Sequence, residues 1–354
     1  MKSLLITGGA GFVGSSLAIL FKEFYEDLNV ICFDNLSRRG SELNVARLKA
    51  HGIEFVHGDV RNPEDLFKLK PVDWLIECSA EPSVHAGFGE SPAYLINTNL
   101  NGLIHCLEFL RQFGGKLVFL STSRVYPIKA LRELPLRNDE DRYVLQPAKI
   151  PGLSERGIAE NFSLEGSRSL YGTTKLSGEL FIQEYCQMYN LKAVINRCGV
   201  LAGPWQMGKV DQGFMALWVA MHYFNGNLSY MGFGGKGIQV RDVLHVKDLF
   251  YLLQFQMQEE KAQNAQVFNV GGGMKNSISL RELSAIVKQV TSKKCDIGSI
   301  AQTKDADIPF YVSDNSKVMQ LLPWQPQISV EHLVEDIYQW LHKNQTMLKP
   351  IFVA

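Results

Sequence analysis

Tyr171-Gly172-Thr173-Thr174-Lys175 sets a phenol and an amine four positions apart. On a helix that spacing puts both side chains on one face. A free phenol titrates at about 10, too high for an effective base at neutral pH. A lysine cation beside it, together with a positively charged ring, favours the phenolate. Such a phenolate can take the proton from an alcohol while a hydride leaves the same carbon. The pair alone is also a common surface pattern, so its meaning depends on its company.

Leu120-Ser121-Thr122-Ser123-Arg124-Val125-Tyr126 supplies part of that company. At the C-terminal end of a parallel strand these hydroxyls face the crevice where ligands bind, and one can hold the same oxygen as Tyr171. Their bland alternative is a capped turn. The third stretch is Leu4-Leu5-Ile6-Thr7-Gly8-Gly9-Ala10-Gly11-Phe12-Val13-Gly14. An apolar run passes into Gly8, Gly11 and Gly14 and then into a helical pattern, as in a strand, a phosphate-holding turn and a helix start. Glycine permits the turn's positive φ angles and a close approach of the main chain to a pyrophosphate. The helix N-terminus then favours the negative charge.

The elements that must position these groups follow in order. Lys2 to Thr7 reads as a buried strand, and Val13, Leu17, Leu20, Phe21 and Phe24 give one apolar helical face. Asn29 to Phe33 is a second strand ending in Asp34, an acid placed to accept from a ribose and to repel a 2′-phosphate. That favours NAD over NADP, although Arg38 and Arg39 offer a phosphate an alternative. Glu54 to His57 is a third strand, followed by Asp59, which either contacts adenine or caps the helix starting at Asn62-Pro63-Glu64. Trp74 to Cys78, Lys116 to Ser121 and Ala193 to Arg197 are further strands, with helices at Pro92 to Phe113 and Arg168 to Tyr189. This alternation predicts a doubly wound parallel α/β sheet.

After Tyr126 the periodicity is lost for about forty residues, which reads as a functional or disordered loop. Beyond Arg197, Gly203-Pro204, Gly226 and Gly232 to Gly237 break the chain into shorter pieces, implying a smaller lobe. Helices are expected at Val246 to Met257, Leu280 to Val290 and Val330 to Leu341, and a short strand at Val267 to Val270.

The 354 residues carry 36 Lys plus Arg against 36 Asp plus Glu, so charge gives no reason to expect nucleic acid or an anionic membrane. Six scattered cysteines and eight histidines without ligand spacing predict neither disulfides nor a metal. The apolar run Phe214 to Phe224 is too short to span a bilayer. A cytoplasmic protein is the expectation.

In combination and order, the glycine loop, Asp34-Asn35, Ser121-Thr122-Ser123, Tyr171 to Lys175 and Arg241-Asp242-Val243-Leu244-His245 resemble the extended short-chain dehydrogenase/reductases that act as nucleotide-sugar epimerases and dehydratases. The resemblance implies a Rossmann-type sheet over residues 1–197, with 242–272 returning to it. A smaller C-terminal substrate-binding lobe would comprise 198–241 and 273–345. It implies NAD as cofactor, with Gly8, Gly11, Phe12, Val13 and Gly14 at the pyrophosphate turn. Asp34 and Asn35 would take the adenosine ribose, Asp59 and Val60 the adenine, while Ala80 and Asn99 line the cleft. Thr122, Tyr171 and Lys175 match the catalytic trio, and Arg241 an arginine for the sugar nucleotide's phosphates. Gln206 and Trp205, after Gly203-Pro204, could touch sugar or base, with packing an equal alternative for Trp205, and His85 could line the sugar pocket or be a structural histidine.

Phe33 to Arg38, Phe55 to Asp59, Asp211-Gln212-Gly213 and Gln239 to His245 are most similar to the epimerases of CDP-linked sugars. Val125-Tyr126-Pro127 departs from the family's common Val-Tyr-Gly, and Gly152 to Ser169 does not map onto the family pattern, in a loop expected to face the sugar. Dehydratases of the family carry Asp-Glu where Ser123 and Arg124 stand, so elimination lacks its usual carboxylate. The expected activity is epimerisation of a CDP- or UDP-linked sugar by oxidation and hydride return. Alternatives are a UDP-hexose 4-epimerase, another reaction of the family, or a silent NAD sensor. A homo-oligomer, dimer or larger, is also implied.

Overall fold

The computed structural model describes residues 1–210 and 212–353; Asp211, one of the residues carrying the resemblance, lies outside them. The chain opens with β1 (Ser3–Thr7), α1 (Phe12–Phe24), β2 (Asn29–Asp34), β3 (Glu54–His57) and β4 (Trp74–Glu77). Helix α2 (Gly102–Phe113), β5 (Lys116–Thr122), α3 (Leu170–Tyr189) and β6 (Lys192–Cys198) follow. Next come β7 (Val200–Ala202), α4 (Phe214–Phe224), β8 (Val240–His245), α5 (Val246–Gln258) and β9 (Asn264–Val270). The last labelled elements are β10 (Ser277–Ser279), α6 (Leu280–Thr291), β11 (Phe310–Tyr311) and α7 (Val330–Lys343).

Seven strands form one sheet in the order β9-β6-β5-β4-β1-β2-β3, and every pairing is parallel. The order reverses between β1 and β4, which opens a crevice at their C-terminal ends. Parallel strands covered on both faces are apolar throughout, and Leu4, Leu5 and Ile6 of β1 are fully buried accordingly. On one face α1 packs against α5, where Phe21 meets Phe250 edge-on at 4.9 Å between ring centroids. On the other, α2 and α3 cover the sheet, and Gly178 admits the approach, since a Cβ there would stand 2.6 Å from Leu103.

The lobe is built on β8, which pairs in parallel with β7 and β11 and antiparallel with β10. Its core gathers α4, α6 and α7; the apolar run of α4 is thus a buried helix of this lobe. A capping box of Ser279 and Glu282 starts α6, and Ser329 caps α7. Helix Ser316–Leu321 and Trp324 fall within the segment expected in the lobe, yet they pack into the main core, with the Trp324 indole donating to the Asp248 carbonyl at 2.9 Å.

The segment after Tyr126 is neither structureless nor part of the large cleft. It forms a helix at Ile128–Arg132 and hairpins at Leu136–Asn138/Tyr143–Leu145 and Leu153–Ser154/Gly157–Ile158. These bury an apolar cluster against Phe310 and Tyr311. No residue of 127–169 lines the large cleft, which corrects the expectation that this loop faces the substrate. Its apolar residues serve packing at irregular spacing, so neither period shows in the sequence. The helix expected at Pro92 to Phe113 contains a π-helical turn at Asn97–Asn101.

Candidate active site

The glycine turn is shaped by contacts that no side chain fits. Gly8 has φ of 63°, and a Cβ there would lie 2.7 Å from the Cys78 carbonyl carbon. A Cβ on Gly14 would lie 2.3 Å from the Gly8 oxygen, so its absence lets α1 close onto the turn. The Gly11 amide donates to the Gly8 carbonyl at 3.0 Å. As N-cap of α1, Gly11 offers no capping side chain, which leaves the first helical amides to an anion. These features fit a dinucleotide pyrophosphate. Gly8 and Gly11 line a cavity of ≈ 350 Å³, whereas Phe12 and Val13 line the larger one beyond it.

The smaller cavity also takes in Asp34, Asn35, Val60 and Ala80. Asp34 accepts from the Ala10 and Leu36 amides at 3.0 and 2.8 Å. Burial raises its pKa, against the lowering effect of these amides. Asn35 donates to Asp59 at 2.9 Å. Asp59 is turned onto Arg61, whose hydrogen bonds hold its carboxyl down at about 2, and it does not line the cavity. Asn99 departs further from expectation. It is fully buried in the π turn, exchanges hydrogen bonds with the Glu81 backbone and donates to Thr174 at 3.3 Å. Asn99 therefore braces the cleft wall from behind rather than lining it. Arg38 donates to Gln212 and to the Met207 carbonyl, and Arg39 to the Pro350 carbonyl.

Thr122, Tyr171 and Lys175 meet in the larger cavity, of ≈ 650 Å³. Ser169 starts α3 by accepting from the Gly172 amide at 3.2 Å, which puts Tyr171 in the first turn. Gly172 presses that turn onto β5's exit; a Cβ there would lie 2.1 Å from the Arg124 carbonyl oxygen. This close approach brings the phenol within hydrogen-bond reach of the Thr122 hydroxyl. Burial raises the Tyr171 pKa, while the Lys175 charge and the Thr122 hydroxyl pull it down. Ser121 points away, donating to Glu179 at 2.5 Å in a buried network with Arg197.

Lys175 is itself buried, 2% exposed, and pairs with Glu77 at 3.3 Å. Nothing in the spacing of Glu77 marked it for this role. Removing one partner of such a pair strands a buried charge, at a cost of about 3–5 kcal/mol.

The same cavity is lined by Arg124 and Arg241, Gln206, His85 and Asp307. Arg241 donates to the Val240 carbonyl at 2.8 Å and the Ile308 carbonyl at 2.6 Å, and Arg124 to the Ala306 carbonyl at 3.1 Å. Burial and then the nearby Arg124 charge lower the Arg241 pKa to about 9. Such a pair of guanidiniums suits a diphosphate. Gln206 donates to the Leu201 carbonyl at 3.0 Å while its Oε1 is buried with no protein partner, so an acceptor is left for a ligand. Trp205 takes the packing alternative, between the Arg47 guanidinium at 4.7 Å and Trp340 at 5.9 Å. Asp307 is the one carboxylate among the described residues that line this cavity, and it stands 3.8 Å from His85. An apolar wall of Phe214, Leu217, Trp218, Met231 and Phe233 was missed in the sequence. Its residues come from separate segments and share no motif.

A parallel Rossmann sheet with a glycine turn at its switch point, and a Tyr–Lys helix beside a strand-end threonine, defines the short-chain dehydrogenase/reductase class in its extended, two-lobed form. The model of the NAD dependent epimerase/dehydratase family matches residues 4–271, and the chain belongs to that family of enzymes. Its cofactor is NAD. The chain is 29% identical to CDP-paratose 2-epimerase of Salmonella typhi, covering 95% of this chain and 98% of that one. It is 27% identical to UDP-glucuronate 4-epimerase of Thermodesulfobacterium geofontis over the full length of both. Among solved structures, dTDP-glucose 4,6-dehydratase of Bacillus anthracis in complex with NAD superposes with a TM-score of 0.78 at 25% identity, covering 99% and 100% of the two chains. No helix among the described residues is long and apolar enough to cross a membrane.

Proposed function

We propose that the protein is a nucleotide-sugar epimerase acting by transient oxidation, with a CDP-linked sugar as first candidate substrate. The observation that carries this reading is the meeting of Thr122, Tyr171 and Lys175 at a cavity where Ser123 and Arg124 replace the carboxylates of an elimination site. Bound NAD supplies a reversible hydride acceptor. Gly8, Gly11 and Gly14 would hold its pyrophosphate and Asp34 its adenosine ribose, with Asn35, Val60 and Ala80 alongside. Tyr171 takes the proton of the sugar hydroxyl, Thr122 holds the same oxygen, and Lys175 stabilises the phenolate. The keto sugar turns its other face, and Tyr171 returns the proton as the carbon is reduced. Arg241 and Arg124 hold the diphosphate, and Gln206 accepts from the sugar or base. The likeness to CDP-paratose 2-epimerase supports CDP and carbon 2.

A second reading is favoured by Asp307 and His85, which put an acid and a base in the same cavity and suit elimination of water. The deciding experiment offers the purified protein CDP-paratose, UDP-glucose, UDP-glucuronate and dTDP-glucose in deuterated water. Epimerisation predicts an inverted carbinol carbon, no loss of water and no solvent deuterium at that carbon. A dehydrated keto-deoxy product would sink the proposal in favour of the second reading.

A further inference from the structure

Glu77, the buried partner of Lys175, has no part in the proposed chemistry. Glu77 ends β4, Lys175 lies on α3, and Nζ stands 3.3 Å from Oε2 with neither side chain more than 3% exposed. The ammonium also rests 4.2 Å from the centroid of the Phe119 ring, the β5 residue in register with Glu77. Burial raises the Glu77 pKa, while the Lys175 charge and a second donor, the Ser79 amide, pull it down. Lys175 is therefore held from behind, on the side away from the cavity that Tyr171 lines.

Other titratable groups face the cluster. Cys78 just past the end of β4, Cys106 on α2 and Cys198 on β6 lie against it, and burial raises all three thiols, Cys198 to about 12, so they stay neutral. Arg124 faces Tyr171 from the exit of β5. When the Tyr171–Lys175 pair gives up one proton, two arrangements compete: phenolate with ammonium, or phenol with amine. Only the first accepts a proton from a sugar hydroxyl. Burial favours the second, because an amine loses less than an ammonium away from water. A carboxylate touching the lysine opposes that preference more strongly than it opposes the phenolate, since Coulomb energy falls with distance.

We infer that Glu77 is a positioning residue that keeps the shared proton on Lys175 and so leaves Tyr171 to act as the base. The inference rests on the proposed reading of Tyr171. Its test is a pH titration of phenolate absorbance on the NAD-loaded protein, with the same variant carrying Tyr171→Phe subtracted and NAD content measured separately. In Glu77→Gln the first proton leaves at lower pH, because an anion is gone, yet the Tyr171 phenolate formed in that step falls about tenfold. Glu77→His, neutral at the pH of interest, gives the same fall and serves where Glu77→Gln does not fold. Glu77→Asp keeps the anion and restores most of the amplitude.

A carboxylate that only supports the fold lowers the melting temperature or NAD content and leaves the phenolate per NAD-loaded molecule at the parent value. That result overturns the inference, as does Glu77→Asp falling as far as Glu77→Gln. A parent protein with no Tyr171-dependent phenolate, or Tyr171→Phe with full turnover, overturns the reading of Tyr171 and this inference with it.

Discussion

The Asp34 carboxylate accepts a hydrogen bond from the Ala10 amide at 3.0 Å, tying the end of β2 to the glycine turn. Asp34 thus shapes the cofactor site before any cofactor arrives. Asp34→Ala leaves partly buried amides unpaired, which costs about 1–3 kcal/mol. The NAD-free protein is expected to melt at lower temperature, and NAD to be lost more readily on desalting. An unchanged melting temperature of the NAD-free variant would show that the carboxylate serves only the ligand.

Gly14 and Gly11 both face the Gly8 carbonyl oxygen, at hypothetical Cβ distances of 2.3 and 3.1 Å. Gly14→Ala must push backbone against backbone, and overpacking of this kind costs about 1–3 kcal/mol. Gly11→Ala needs a shift of only a few tenths of an ångström. Calorimetric NAD titrations should therefore rank Gly14→Ala as the more damaging, and the reverse order would refute the turn geometry.

Tyr171→Phe removes one hydroxyl and leaves Lys175 paired with Glu77. Turnover of the sugar is expected to fall by about 10²–10⁴, the usual worth of a general base, while NAD content stays at the parent level. A variant that kept its turnover would place the base elsewhere.

Asp307 separates the two reactions. In epimerisation it takes no proton from the substrate, so Asp307→Asn should keep turnover within about tenfold of the parent. In elimination it would be the acid or base, and a loss of about 10²-fold or more in product formation is the contrary result.

Asp59 and Arg61 give a pH dependence whose sign is fixed. Arg61 holds the folded carboxyl at about 2, below the unfolded value of about 3.9. The contribution is therefore fully present above the unfolded value and lost as pH falls through the folded one. The Arg61 side chain is 39% exposed, so solvent screens the pair and its worth stays below about 1 kcal/mol. Denaturant unfolding should show a small gap between the parent and Asp59→Asn at neutral pH that closes toward about pH 2. A gap that persists there would assign it to lost packing.

The sheet was legible because strands buried on both faces are written as continuous apolar runs, and their ends agree with the structure to within a residue or two except at β9, which starts at Asn264 rather than Val267. The Tyr171–Lys175 face and the glycine spacing were legible for a related reason: a helix turn or a tight turn is decided by residues a few positions apart. Ser169 sharpened the start of α3 by capping it, two residues after the expected Arg168.

What the sequence determined by itself was thus the local set: a parallel sheet, a dinucleotide turn, an acid at the end of β2, and a phenol and an amine on one helix face. Tertiary structure alone decided which of these groups meet and what stands behind them. Glu77 and Lys175 are 98 positions apart, and Asn99 reaches Thr174 across 75. It also withdrew residues from the site, sending Trp205 into packing and the segment after Tyr126 to a separate apolar cluster, while bringing in Asp307. The physical reason is that burial, charge pairing and close backbone approach depend on distance in space. Periodicity and spacing report distance along the chain.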